Sequence, residues 1–316
     1  MDVDEKKAEQ TWFDNCIDDM LMDEEQSLSD EEEDDYAVEE VPPSNPTVVT
    51  TNLTVFDTIS SDFLHKPALS PESQLVQKQF VQQQLPAIFA NESLMVVQKP
   101  AGLACQGGTG VKYSVDTLLG SVNEFADYKL VHRLDRGTSG ALVVAKSRLA
   151  AVALTRAFHN HDVTKKYIAL LEGIPQYMQG TIHNPLLYTG SKTIAVDASA
   201  SEQARSAAKG ATTKYKVLKT GMFKTPCSLV SVEILTGRKH QIRAHCAQIL
   251  GCPVYGDTKY GSANSTLYLH CSEITIPNVL PDGNANLDHP TIAVKSPFPK
   301  TWQPVFDSLN INFTAQ

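Results

Sequence analysis

From about residue 85 onward turn-forming residues cut the chain into short apolar runs, and this texture constrains the fold more than any other feature. Short runs bounded by Pro and Gly suit strands of a mixed α/β or β-rich core. "SLMVVQKPAG" (93–102), "KLV" (129–131), "ALVVAKS" (141–147) and "KKYIALLEG" (165–173) each read as a strand. "ATTKYKVLKT" and "CSLVSVEIL" read as antiparallel neighbours joined through the turn-prone "TGMFKTP". Helical spacing occurs twice. Ala150, Ala151, Leu154, Ala157 and Phe158 place an amphipathic helix over 147–160; Ile242, Cys246, Ile249 and Leu250 form one stripe of a second, stopped at Gly251. Arg238, Lys239, Gln241 and Gln248 fall largely off that stripe, and the small, polar residues 189–210 are expected to form a long loop or excursion.

Charge divides the 316 residues unevenly. The first 50 carry 18 Asp and Glu against 2 Lys, while the remainder has 18 acids against 25 Lys and Arg. The folded part is therefore basic beneath an overall charge of −9 and can attract a polyphosphate backbone. "DEEQSLSDEEEDD" is too charged to repay its ordering entropy, so residues 1–75 are expected to be a largely disordered acidic tail, with a short element conceivable at "WFDNCIDDML". Such a tail solvates the chain, binds a partner, or masks the basic face. A domain over 85–316 follows it. No run approaches the roughly 20 apolar residues of a membrane helix, so no membrane association is expected. The six cysteines form no CxxC pair, and His240, His245, Cys246 and Cys252 lack metal-site spacing, so neither disulfides nor a metal are expected.

"HRLDRGTSG" (132–140) sets Asp135 between Arg133 and Arg136 on a glycine-containing turn between two strands. Flanking arginines favour the ionised carboxylate. Its plainest reading is a turn-stabilising ion pair worth about 0–1 kcal/mol if exposed. The motif, however, resembles the catalytic motif of the RluA-type pseudouridine synthases, and "GRKHQIRAH", "GDTKYG" and "LYLHC" follow in that family's order over about residues 85–300. Variants such as "GLACQGGTG" are similar to the RluC-like branch and its mitochondrial RNA pseudouridylate synthase relatives.

The resemblance implies an α+β fold: a mixed, mainly antiparallel sheet with flanking helices and loops around a central RNA-binding cleft. It implies conversion of uridine to pseudouridine in RNA, without a cofactor, by a carboxylate that attacks C1′ or removes a C2′ proton. Asp135 matches that carboxylate, Tyr167 the tyrosine that lies against the uracil and assists C5 deprotonation, and Arg243 the arginine that pairs with the acid. Arg133, His132 and Leu269 match substrate-side positions, Arg133 entering the space left by the flipped base and Leu269 sealing the uracil pocket. Lys165, Lys166, Arg238 and Lys239 are candidate phosphate contacts, and Lys99-Pro100 supports the catalytic loop.

Large-subunit rRNA is the expected substrate, with tRNA the rival, and a catalytically idle RNA-binding assembly factor the alternative from another class. A monomer is expected. The acidic start fits cytoplasm or nucleus, with the mitochondrion open. Lys239 stands where the family usually has Thr, the S4 RNA-binding module is not recognisable, and "SEITIPNVLPDGNANLDHP" carries an inserted loop near the pocket wall.

Overall fold

In the computed structural model, described over residues 71–108, 111–261, 266–286, 288 and 290–311, a ten-stranded sheet runs through the molecule. Its order is β1 (Ala87–Ala90), β2 (Leu94–Lys99), β4 (Ser139–Ala145), β11 (Leu269–Pro277), β5 (Thr164–Glu172), β10 (Thr225–Ile234), β9 (Thr213–Phe223), β6 (Gln179–Ile182). β3 (Lys129–Leu130) adds to β4 and β12 (Thr291–Lys295) to β11. Every pairing is antiparallel except β4 with β11, where Ser139 faces His270 and Gly140 faces Cys271. The mixed, mainly antiparallel sheet is the one expected from the sequence, and its parallel seam positions the site.

Gly140 makes that seam possible. At φ +120° a side chain is strained, and a Cβ would lie 2.3 Å from the Cys271 carbonyl oxygen. β4 is buried along its whole length. Helix α3 (Arg148–His159), which follows the short α2 (Val115–Gly120), packs on β4 through Ala150, Ala151, Leu154 and Ala157, with Ser147 accepting the Ala150 N–H as its N-cap.

Several expectations are refined. Helix α1 (Pro71–Gln84) lies ahead of residue 85, burying Val81 and, just beyond its end, Leu85. Its polar "VQKQFVQQQ" carries little apolar periodicity, which hid it. Residues 1–70, including "WFDNCIDDML", lie outside the described residues. The stretch 189–210, expected as a long loop or excursion, is an excursion with short elements of its own: β8 (Thr193–Ala195) pairs with β7 (Leu186–Tyr188), and α4 (Glu202–Ala207) is capped by Ser201. "TGMFKTP" belongs mostly to the β9 and β10 strands, which reverse at Lys224 with φ 60°. Gly221, read as a turn signal, instead makes room for Leu309, whose Cδ2 would be 2.5 Å from an added Cβ.

Helix α5 (Gln241–Gln248) is short, and its buried face is polar as well as apolar. Ile242 and Cys246 are buried, but Ile249 is 40% exposed. Gln241, expected outside, is buried because its amide binds the Thr212 carbonyl and Thr213 hydroxyl, each at 3.0 Å. Backbone and side-chain partners make burial of a polar group affordable. The inserted segment lengthens the β11–β12 hairpin beyond Pro277 and leaves Leu269 in the sheet. No described helix is long and apolar enough to cross a membrane.

Candidate active site

The turn between β3 and β4 carries Asp135 on a backbone held from below. Buried Lys99 Nζ donates to the carbonyls of Leu103 (2.6 Å), Pro100 (3.0 Å) and Arg136 (3.1 Å). Gly102 N–H donates to Arg136 O at 2.8 Å, and Thr138 N–H to Asp135 O at 3.0 Å. Cys105 Sγ lies 3.2 Å from Leu134 N and 3.3 Å from Leu134 O. Lys99 thus has the supporting role expected of it. Burial lowers it to about 8, while Cys105 and Asp135 pull the other way.

Arg136 does not flank the carboxylate as the sequence suggested: its Nε donates to Gly102 O at 3.1 Å. Arg243, in the first turn of α5, reaches Asp135 Oδ2 through Nη1 at 3.3 Å. Burial would raise the Asp135 pKa, but His240, Arg243 and Arg133 outweigh it and hold the carboxyl at about 2. His240 is lowered by burial to about 4 and is neutral at pH 7, so Arg243 and Arg133 supply the attraction there. Two unit charges about 4 Å apart at an effective dielectric near 20 attract by roughly 4 kcal/mol before desolvation.

The guanidinium belongs first to another acid. Asp257, fully buried, accepts from Arg243 Nε at 2.7 Å and Nη2 at 2.8 Å. Asp257 also accepts the N–H groups of Lys259 and Tyr260, both at 3.0 Å. The Arg243 guanidinium carbon stands 5.3 Å from the centre of the Tyr260 ring. A bidentate fork fixes the plane of the arginine, leaving one edge for Asp135. Asp257 lies inside "GDTKYG" but was not singled out from the sequence. Its signal was an acid beside a turn, with nothing to say that it meets Arg243.

One cleft of about 740 Å³ gathers Asp135, Tyr167, Arg243, Arg133, His132, Leu269, Lys165, Arg238 and Lys239 on its walls. Tyr167 on β5 is buried opposite Cys271 of β11 and hydrogen-bonds to its thiol. Burial, Cys271 and Asp135 hold its phenol well above the usual tyrosine range, so it is neutral at pH 7. Leu269 is buried beside it on β11.

The substrate-side candidates differ in what their polar atoms already do. His132 is not free to bind through Nε2, which accepts the Val143 N–H at 2.8 Å, and its ring stacks on Phe158 at 4.5 Å. Burial lowers it to about 3, so it is neutral. Lys165 is 8% exposed, has no ion pair among the described residues, and places Nζ 5.6 Å from the Phe158 ring centre. Arg238 Nε donates to Gly210 O at 3.1 Å. Lys239 Nζ donates to Tyr188 Oη at 2.9 Å over that ring. Lys166 instead pairs with Glu273 at 2.7 Å. Among the described residues no cluster of three His, Cys, Asp or Glu side chains could hold a metal.

Residues 93–248 match the RNA pseudouridylate synthase family. A ribosomal large subunit pseudouridine synthase C of Rickettsia conorii is 39% identical over 195 residues, covering 60% of this chain and 62% of that protein. An uncharacterized RNA pseudouridine synthase of Zymomonas mobilis is 33% identical over 221 residues, covering 68% of this chain and 94% of that protein. The solved human RNA Pseudouridylate Synthase Domain Containing 1 has a TM-score of 0.58 and 26% identity, covering 78% of this chain and 90% of that one. The chain spans 61–66% of the length of the first five curated relatives it matches.

Proposed function

The chain belongs to the RNA pseudouridylate synthase family, and from that premise we propose that it isomerises uridine to pseudouridine in large-subunit ribosomal RNA. The observation that carries the proposal is an ionised Asp135, steadied by Arg243, in the same cleft as Tyr167 and Leu269. A cleft of about 740 Å³ falls within the range of sites that enclose one small ligand, so it suits a single extruded nucleotide. The large-subunit assignment is supported by the name of the Rickettsia relative.

The reaction breaks the N1–C1′ bond, turns the uracil, joins C5 to C1′ and moves the C5 proton to the medium while N1 gains one. Atoms balance without a second substrate. Asp135 starts either route as an anion: its oxygen attacks C1′, or it removes the C2′ proton to give a glycal. A low pKa leaves it ionised, and burial beside one committed arginine limits the solvent it must shed. The neutral Tyr167 phenol is a poor base, so its larger contribution is a flat ring against the uracil, with Leu269 packing beside it. Reaching the buried site requires flipping the nucleotide, which costs a few kcal/mol that cleft contacts must offset. Arg133 lines the same cleft and is the residue to fill the space left by the flipped base, while Lys165, Arg238 and Lys239 supply positive charge for phosphates.

Pseudouridine mapping of total RNA from cells with and without the protein tests this reading. Specific large-subunit positions, cytosolic or organellar, should lose the modification. Loss confined to tRNA would move the substrate, and an unchanged map would remove the activity.

A further inference from the structure

His240 borders the cleft beside Asp135 and is not used by the mechanism above. Its backbone sits at φ 52°, ψ 23°, the left-handed region that a histidine enters at a cost, and its side chain does not cap α5. Some other interaction must hold it there. The ring meets Tyr260 edge-on at 5.7 Å and 87°, with Nδ1 3.1 Å from the phenol oxygen. That oxygen accepts the Thr193 N–H at 2.8 Å, and the Thr193 hydroxyl donates to Lys239 O at 2.9 Å. The phenol keeps its own proton to give, and in the tautomer on which the inference rests it gives that proton to His240 Nδ1. A neutral ring that accepts at Nδ1 carries its proton on Nε2, and Nε2 has no hydrogen-bond partner among the described residues.

The neighbouring polar groups are already committed. Arg243 gives Nε and Nη2 to Asp257 and Nη1 to Asp135. A sugar whose C1′ or C2′ lies against Asp135 presents its 2′-oxygen within two bonds of that carbon, on the cleft wall where His240, just ahead of α5, stands near the carboxylate. We propose that His240 contacts substrate, its Nε2–H donating to the 2′-hydroxyl oxygen of the flipped nucleotide, so that Thr193, Tyr260 and His240 form a chain that reads ribose at the reacting sugar. This rests on the uridine-isomerase reading and adds a residue that recognises the one hydroxyl distinguishing RNA from DNA.

The test pairs two short RNAs, one bearing a uridine that the full chain converts and the other 2′-deoxyuridine at that position alone. For His240→Gly, which keeps the left-handed backbone, kcat/KM on the ribose target should fall about tenfold, the scale of one neutral hydrogen bond. On the deoxy target it should change by less than about twofold, because the contact is already absent. Binding of the same two RNAs gives the same comparison if the deoxy target turns over too slowly. His240→Asn, also compatible with this backbone and too short to reach the sugar, should repeat the pattern; Tyr260→Phe, which frees the ring, should show it more weakly. Equal losses on both RNAs would overturn the contact while leaving the activity intact. If the wild-type chain converts no uridine at all, the isomerase reading falls and this one with it.

Discussion

The floor of the cleft and its rim are built differently. On the floor, Asp135, Arg243 and Asp257 are joined by three hydrogen bonds of 2.7–3.3 Å, and the arginine and Asp257 are almost wholly buried. On the rim, Arg238 and Lys239 are half-exposed and lean on a carbonyl and a phenol. A group held from several sides has one orientation, which suits chemistry at a fixed atom; a long, half-exposed cation can follow a phosphate. The floor should therefore fail steeply when one member is changed, and the rim gradually.

Arg243→Gln breaks the floor most broadly, since it strands two carboxylates at once. Single-turnover conversion should fall by roughly 10²–10³-fold, with RNA affinity nearly unchanged; a loss under tenfold would mean that Asp135 does not depend on its partner. Asp257→Ala should come next. Leaving a buried arginine half-paired should cost about 3–5 kcal/mol of stability, read as a lower midpoint in urea, together with a smaller rate loss because Nη1 still reaches Asp135. Tyr167→Phe keeps the ring and should cost about tenfold or less, the worth of one hydrogen bond. A loss as deep as that of Arg243→Gln would make the hydroxyl, rather than the ring, the working part.

The rim gives the smallest effects. Lys239→Ala and Arg238→Ala should each weaken RNA binding a few-fold and reduce the slope of log affinity against log salt by about 1, leaving the single-turnover rate at saturating RNA in place. Acid should affect the floor late. The folded Asp135 pKa of about 2 lies below its ordinary 3.8, so its stabilising contribution is complete above that ordinary value and is lost as pH falls through about 2. His240 works the other way. Its folded pKa of about 4 lies below 6.5, so protonation opposes folding increasingly as pH drops from 6.5 toward 4. The single-turnover rate should then show no Asp135 titration between pH 8 and 5.

The sequence made the floor legible where a local motif carries the chemistry and hid it where two distant stretches meet. Asp135, Tyr167, Arg243 and Leu269 were named from motifs, and two sheet strands, the turn before β4 and α5 bring all four to one cleft. Asp257 and Tyr260 went unread because their partners, Arg243 and His240, are joined to them only when α5 folds back on the following turn. His132 was assigned to the substrate side and does line the cleft, yet its Nε2 already accepts the Val143 N–H and its ring stacks on Phe158, tertiary partners that the motif alone could not show. Composition hid other features. A glutamine-rich helix lacks the apolar stripe that marks burial, and Gly221 and Pro226 mimic a turn inside continuous strands.

The central claim is that an ionised Asp135 acts on the sugar of a uridine placed in this cleft. Its most direct measurement is single-turnover pseudouridine formation by Asp135→Asn on an RNA the wild-type chain converts, with affinity measured on the same RNA. Conversion should fall by roughly 10⁴-fold or more while affinity stays within a few-fold. Conversion persisting within about tenfold of wild type, in a folded variant that binds normally, would contradict the claim.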